Sequence, residues 1–317
     1  MDIERYYDEV TAVINEVKKA VVGKDECIKK AMTAIIAGGH ILIDDIPGVG
    51  KTSLAMSFAR AMSLDSKRMQ FTPDVMPSDI LGFSMYDKSE GKFHYQQGTV
   101  MCNLFLADEI NRTSPKTQSA LLEVMEENKV TVDGVTRPVP NPFIVIATEN
   151  PVGSIGTQLL PESQLDRFMI CMTMGYPSLE DEIAIAKGIG VAEFVEEING
   201  VIDGDELKKI RQCVQKIHIG DNLYEYICTL VQETRRHPMI ELGVSPRGTI
   251  ALVKMVKAAA FMEKREYAMP SDVIQVFESV VQHRILLNTK ARVSHKDSED
   301  VLKEIIQSVK KPGARFK

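Results

Sequence analysis

A glycine-rich loop is the first segment of this sequence that could perform chemistry. The apolar residues 41–43 lead into two acidic residues and then into this loop, and helical periodicity follows it. The loop residues that would surround a polyphosphate are Pro47, Gly48, Val49, Gly50, Lys51, Thr52 and Ser53. The glycines let backbone N–H groups face phosphate oxygens, Lys51 can reach the β- and γ-phosphates, and the Thr52 hydroxyl can bind Mg²⁺. The spacing predicts a Walker A loop for ATP, although Asp45 stands where the strict pattern has glycine.

Two acidic residues end the next apolar run. Asp108 and Glu109 follow residues 103–107, which have the composition of a strand buried on both faces. At the carboxyl end of such a strand, Asp108 could hold Mg²⁺ through water. Glu109 could polarise the attacking water of a hydrolysis. Taken alone, the pair could equally be two solvated acids at the end of a strand, but beside the loop it predicts a Walker B element.

Three further polar residues could complete the site. Asn150 ends a third apolar run, where its amide could orient the lytic water or sense the γ-phosphate; alone, it reads better as the start of an Asn-Pro turn. Arg167 could stabilise transition-state charge on the ATP of a neighbouring subunit, or form a surface pair with Asp166. Arg247 lies at the start of a helix that Ser245 can cap. A cation there opposes the helix dipole unless an anion lies close.

The elements that must position these residues divide the chain into two halves. From residue 21 to residue 176, short apolar runs alternate with amphipathic helical stretches, which indicates a parallel α/β sheet. Helical periodicity then takes over. We therefore predict an α/β nucleotide-binding domain at residues 1–176 and a helical domain at residues 177–317. Two hairpins are predicted to project from the first domain, one around residues 83–95 and one at residues 130–137, turning at Asp133-Gly134.

Composition limits the classes of protein that the chain could be. Hydrophobic residues make up 44% and charged residues 26%, the usual mix of a folded globular chain. The net charge of −6 argues weakly against coating nucleic acid or an anionic membrane. The N-terminus lacks the layout of a secretory signal, and no apolar run is long enough to insert into a membrane. Five scattered cysteines without a C-x-x-C pair favour a cytoplasmic location over a disulfide scaffold or a zinc site.

Together these segments resemble the AAA+ ATPases, and more narrowly the MoxR family. The resemblance covers nearly the whole chain, with its blocks in the family order. They are residues 22–25, 45–52, 107–112, 115–122, 147–151, 160–168 and 245–247. The acid at Asp45 is typical of MoxR proteins. The departure from the strict Walker A pattern at this position therefore supports the resemblance to that family. Gly248, where many relatives carry alanine, is a mild departure.

The resemblance implies a fold and a role for each block. The fold would be a P-loop NTPase core with a helix-two insert at residues 83–95, a pre-sensor-1 hairpin at residues 130–139 and an all-α lid. Val22 and Gly23 would lie near adenine, and Thr52 and Asp108 would hold Mg²⁺. Sensor 1, the arginine finger and sensor 2 would be Asn150, Arg167 and Arg247. Whether sensor 2 acts within its own subunit or across an interface stays open.

The resemblance also implies a function and partners. MoxR proteins are chaperone-like ATPases that remodel, mature or activate client proteins, often inserting metals or cofactors. They form rings, commonly hexamers, and work with von Willebrand factor A domain proteins. A second hypothesis is a chelatase-like or nucleic-acid motor subunit. Lys88, Lys92, His94 and Arg137 put positive charge on the hairpins, but the acidic balance argues against nucleic acid. A third is a nucleotide-gated binding module without hydrolysis, although binding alone requires none of Glu109, Asn150 and Arg167.

Overall fold

The computed structural model describes residues 2–150, 160–188 and 195–313. Its strands in chain order are β1 Ile41–Asp44, β2 Ser66–Gln70, β3 Gly82–Asp87, β4 Lys92–Gln97, β5 Leu104–Asp108, β6 Lys129–Val132, β7 Val135–Pro138, β8 Ile144–Glu149, β9 Ile170–Met172, β10 Ile240–Leu242 and β11 Leu286–Leu287. Its helices are α1 Ile3–Ala20, α2 Asp25–Ile36, α3 Lys51–Ala61, α4 Pro77–Leu81, α5 Pro115–Glu127, α6 Glu162–Leu165, α7 Leu179–Ala186, α8 Gly204–Gln215, α9 Asp221–Arg236, α10 Pro246–Met262, α11 Pro270–Val281, α12 Thr289–Val293 and α13 Ser298–Ser308.

Five of these strands form one parallel sheet in the order β2-β5-β8-β1-β9. The three apolar runs of the sequence supply its centre as β5, β8 and β1, and the expected parallel core is confirmed. Because all five strands run the same way, the residues that follow β1, β5 and β8 meet at one edge of the sheet. That edge collects the residues predicted to bind nucleotide.

Alternating side chains of the central strands pack into two separate hydrophobic layers. Ile41, Ile43 and Leu106 face the layer that contains α1, α2 and α3, and Leu42 and Phe105 face the layer that contains α5. All five side chains are at most 1% exposed. Burial of both faces explains why the sequence reads as continuous apolar runs in these strands.

Both predicted hairpins are present. β3 pairs with β4 in antiparallel register, and β6 pairs with β7. The turn between β6 and β7 needs left-handed backbone at both of its central residues, and Asp133 (φ 51°) and Gly134 (φ 75°) adopt it. The two hairpins contact each other. The guanidinium of Arg137 on β7 lies 4.0 Å from the centroid of the Tyr95 ring on β4.

Helices dominate the chain after β9. The predicted helix at Ser245 is α10, and the Ser245 hydroxyl accepts a hydrogen bond from the Gly248 N–H at 3.1 Å, as expected of a capping residue. The expected all-α lid needs one correction, because β10 and β11 form a short antiparallel pair inside it. These strands have two and three residues, too short to leave a period-2 pattern. Among the described residues, no helix is both long and apolar enough to cross a membrane.

Candidate functional site

The glycine-rich loop joins the carboxyl end of β1 to the first turn of α3. Gly48 (φ 85°) and Gly50 (φ 94°) both adopt left-handed backbone, which side chains disfavour. Gly50 is the N-cap of α3, so the N–H groups at the start of that helix have no acceptor within it. Thr52 and Ser53 lie half-buried in this first turn. The loop therefore presents backbone donors and a hydroxyl at a helix N-terminus, as an anion site requires.

Lys51 links the loop to the neighbouring strand end. Its side chain is buried, and Nζ donates to the carbonyl of Asp45 at 2.5 Å and to that of Glu149 at 2.9 Å. Asn150 Oδ1 lies 3.5 Å from the same nitrogen. Burial lowers the pKa of Lys51, and nearby carboxylates, including those of Asp45 and Asp108, oppose that shift. The predicted lysine is thus held at the junction of β1 and β8, surrounded by oxygen atoms.

Asp108 is buried at the end of β5, with both carboxylate oxygens engaged. Oδ1 accepts from the Thr148 hydroxyl at 2.7 Å, and Oδ2 accepts from Arg68 Nη2 at 2.7 Å. Neither Thr148 nor Arg68 was singled out by the sequence reasoning. Thr148 lay within a matching block, and its position beside Asn150 on β8 was the available signal. Arg68 lies on the polar edge strand β2, which the sequence reasoning did not identify as a strand.

Glu109 is held between two side chains that fix both of its carboxylate oxygens. Oε1 accepts from Asn150 Nδ2 at 2.7 Å, and Oε2 accepts from Arg112 Nη1 at 2.7 Å. Its backbone is left-handed (φ 56°), and its N–H donates to the Thr148 hydroxyl at 2.8 Å. Burial raises the pKa of Glu109, but the hydrogen bonds from Arg112 and Asn150 outweigh it and leave the pKa below its usual value. The group is therefore a carboxylate at neutral pH.

The segment expected to lie near adenine connects α1 to α2. Gly23 adopts left-handed backbone (φ 70°), and a Cβ at this position would lie 2.2 Å from the Asp181 carboxyl carbon in α7. The left-handed backbone favours glycine here, and a larger residue would also require the Asp181 side chain to move. Val22 is partly exposed beside it. The segment containing Val22 and Gly23 thus lies against α7, the first helix after the sheet.

Arg167 and Arg247 lie away from this group. Both pair with Glu126 near the end of α5: Arg167 Nε is 3.1 Å from Glu126 Oε2, and Arg247 Nη2 contacts Oε1. The two arginines line a cavity of about 790 Å³ together with Gly39 and His40, which precede β1. Lys51 follows the opposite end of β1, a four-residue strand that spans roughly 13 Å at ~3.3 Å per residue. Within one chain, the structure does not bring these arginines to the glycine-rich loop.

The donor chemistry at the loop fits a magnesium–nucleotide complex. An ammonium group and helix N-terminal N–H groups suit phosphate oxygens, and the Thr52 hydroxyl and the Asp108 carboxylate are the hard oxygen ligands that Mg²⁺ prefers. The carboxylate of Glu109 follows Asp108 directly, and its two hydrogen bonds hold it in one orientation. The arrangement can thus bind a polyphosphate, hold a divalent cation and orient a water molecule.

Comparison with known proteins places this chain among ATPases of this architecture. Residues 40–170 match the model of the ATPase family associated with various cellular activities (AAA), and residues 232–305 match the AAA lid domain model. YeaC, an uncharacterized protein of Bacillus subtilis (strain 168), is 43% identical, and the match covers 95% of this chain and 94% of YeaC. Chaperone MoxR1 of Mycobacterium tuberculosis is 35% identical, with 94% of this chain and 81% of that protein covered.

A solved structure and a further relative agree with this placement. A crystal structure of a protein assigned as an ATPase from Cytophaga hutchinsonii has a TM-score of 0.89 and 35% identity, and the match covers 98% of this chain and 97% of that one. Protein MoxR of Methylorubrum extorquens is 29% identical over 86% of each chain. The sheet order, the lid and these relatives agree with the resemblance read from the motifs. The chain belongs to the MoxR family of AAA+ ATPases.

Proposed function

We propose that this chain hydrolyses ATP in a Mg²⁺-dependent reaction and uses the energy to remodel or activate a partner protein. The observation that carries the proposal is the position of Glu109, held by Asn150 and Arg112 directly after Asp108. A module that only binds nucleotide needs no oriented carboxylate there. The chaperone-like role is supported by the relative named Chaperone MoxR1, which aligns with 94% of this chain.

Each residue at the loop has a defined task in this proposal. Lys51 and the backbone donors of residues 47–53 bind the phosphates, and Thr52 and Asp108 hold Mg²⁺. Bound Mg²⁺ neutralises charge that develops on the phosphate oxygens. Glu109 accepts a hydrogen bond from the attacking water and orients it, while Asn150 keeps the carboxylate in place. Val22 and Gly23 contact the base.

The active form is proposed to be a ring, such as a hexamer, with its sites between subunits. Arg167 and Arg247 lie at the amino edge of the sheet, a strand length from Lys51 in the same chain. Their placement supports action in trans for both, with the two guanidinium groups stabilising charge on the nucleotide of a neighbour. Glu126 would hold both arginines together until that contact forms. We place the domain boundary near residue 176, after β9.

The hairpin of β3 and β4 is the proposed contact with a client or with a von Willebrand factor A domain partner. It exposes large hydrophobic side chains, with Phe93 72% and Met85 53% exposed, more than a solvated hairpin needs. Metal or cofactor insertion would be one outcome of such remodelling. The five cysteines are all free thiols, which supports a reducing cytoplasmic location.

A chelatase-like role is the second candidate. The Magnesium-chelatase subunit ChlI homolog of Methanocaldococcus jannaschii is 27% identical over 58% of this chain. The hairpins give less support to the alternative of a nucleic-acid motor subunit. Lys92 pairs in register with Asp87, His94 Nε2 lies 3.0 Å from Glu90, and Arg137 stacks on Tyr95. His94 thus lies beside a carboxylate and Arg137 beside an aromatic ring of the hairpins themselves, which leaves less positive surface for nucleic acid.

The substitution Glu109→Gln tests hydrolysis. It keeps the side-chain shape but removes the general base, so we expect ATP to bind with turnover lowered at least ~100-fold. The matched control is Glu127→Gln, which replaces an exposed carboxylate at the end of α5. Phosphate release and equilibrium ATP binding are measured on both variants. Wild-type turnover in Glu109→Gln would remove this residue from the reaction.

A further inference from the structure

Residues 174–176, here called the linker segment, lie between β9 and α7. Their backbone forms hydrogen bonds with charged side chains through both its N–H groups and its carbonyl groups. Asp45 Oδ2 accepts from the Met174 N–H at 2.5 Å and from the Gly175 N–H at 2.6 Å. Lys24 Nζ donates to the carbonyls of Met174, Gly175 and Tyr176 at 2.9, 3.0 and 2.9 Å. Two opposite charges thus hold the donors and the acceptors of the same short segment.

Both charged side chains are buried, each only 8% exposed. A buried charge is costly unless hydrogen bonds replace its lost hydration. Among the described residues, neither Asp45 nor Lys24 forms a salt bridge with a charged side chain, and the linker backbone supplies most of their partners. A displaced linker segment would therefore leave two buried charges unsatisfied, so its position is strongly determined.

The same contacts reach the phosphate-binding lysine. Asp45 begins the glycine-rich loop, and its backbone carbonyl accepts from Lys51 Nζ at 2.5 Å. Asp45 therefore contacts Lys51 through its main chain and the linker segment through its side chain. On the other side, Lys24 directly follows Val22 and Gly23 and precedes α2. A Lys51 side chain that turned to a phosphate would remove a donor from the Asp45 carbonyl, and this change would reach the residue that holds the linker segment.

We propose that Asp45 and Lys24 are positioning residues that couple nucleotide binding at the loop to the position of the linker segment and of the helices that follow it. The inference rests on the proposed binding of ATP and adds the residues that transmit it. It also gives a physical reason for the acid at Asp45, since a glycine at that position could not accept the N–H groups of Met174 and Gly175.

Hydrogen–deuterium exchange of the peptide spanning residues 170–178, in the full chain with and without ATP and Mg²⁺, tests the coupling. We expect ATP to change exchange there in the wild type. In Asp45→Asn we expect exchange without nucleotide to rise about tenfold, because a charge-assisted acceptor is lost, and the ATP response to disappear. Lys24→Gln should lose the response as well. Asp44→Asn, which replaces the exposed neighbouring acid, is the matched control and should keep it.

The result separates coupling from stability and from binding. A purely structural role would lower the melting temperature of Asp45→Asn and Lys24→Gln but leave the ATP-dependent change in exchange intact, and that outcome overturns the inference. A wild-type peptide whose exchange does not respond to bound ATP, or a response lost equally in Asp44→Asn, also overturns it. Binding of ATP is measured separately, and a wild type that binds none refutes the proposed function instead.

Discussion

Single residues around the loop show how closely spaced acids keep different charges. Glu109 accepts hydrogen bonds from Arg112 and Asn150, which hold its pKa below the usual value. Glu149, at the end of β8, lacks such support, because its Oε1 atom is buried without a hydrogen-bond partner among the described residues. Burial and then the neighbouring Asp44 raise the pKa of Glu149 to about 7. Glu109 and Glu149, both close to the loop, therefore differ in their protonation near neutral pH.

Glu149 makes stability depend on pH. Its folded pKa of about 7 lies above the usual glutamate value of 4.5, so the folded state binds the proton more tightly than the unfolded state. That contribution is fully present below pH ~4.5 and is lost as the pH rises through about 7. The wild type loses this contribution as the pH rises, and Glu149→Gln does not. Between pH 5 and pH 8 we therefore expect the free energy of unfolding of Glu149→Gln to rise by about 1–3 kcal/mol relative to that of the wild type, as measured by urea unfolding. Parallel pH curves for the two proteins would contradict the raised pKa.

At the scale of secondary-structure elements, the apolar strands were predictable and the polar edge strand was not. β1, β5 and β8 are buried on both faces, which leaves continuous apolar runs in the sequence. β2, with the sequence Ser-Lys-Arg-Met-Gln, lies at the edge of the sheet and is only half-buried, so its residues carry no such signal. Arg68 on β2 was missed for the same reason. It lies in register with Leu106 of β5, and its long side chain reaches Asp108 two residues further along that strand.

The contacts of the site residues were less predictable than their identities. Lys51, Asp108, Glu109 and Asn150 could be placed together because they follow strands that end at one edge of the sheet. Contacts between segments distant in sequence, such as Lys24 with the linker segment, are set by tertiary packing and leave no local pattern. The turn at Asp133-Gly134 was the most predictable feature, because its two residue types alone indicate left-handed backbone.

The two hairpins are expected to act as one unit because Arg137 lies over the ring of Tyr95. A double-mutant cycle with Arg137→Ala, Tyr95→Leu and the double variant measures this contact. We expect a coupling of about 0.5–1 kcal/mol in the free energy of unfolding, the usual size of a partly exposed cation–π pair. Additive effects of the two substitutions would show that the hairpins move independently.

At the scale of the whole molecule, the two edges of the sheet carry what we propose to be complementary halves of one site. The carboxyl edge holds Lys51, Asp108 and Glu109, and the amino edge holds Arg167 and Arg247 on the shared Glu126. Within one chain, the two groups lie at opposite ends of β1, a strand length apart. In the proposed ring, each subunit would offer its amino-edge arginines to the nucleotide of the next.

Mixing two inactive variants tests this shared site most directly. Lys51→Ala removes nucleotide binding, and Arg167→Ala removes the arginine offered to a neighbour. In mixed rings, an intact Lys51 loop in an Arg167→Ala subunit can face an intact Arg167 from a Lys51→Ala subunit. We therefore expect ATP turnover to recover on mixing, up to about a quarter of the wild-type rate if subunits mix at random. Turnover that stays at the level of the separate variants, in rings shown to contain both, would contradict a site completed in trans.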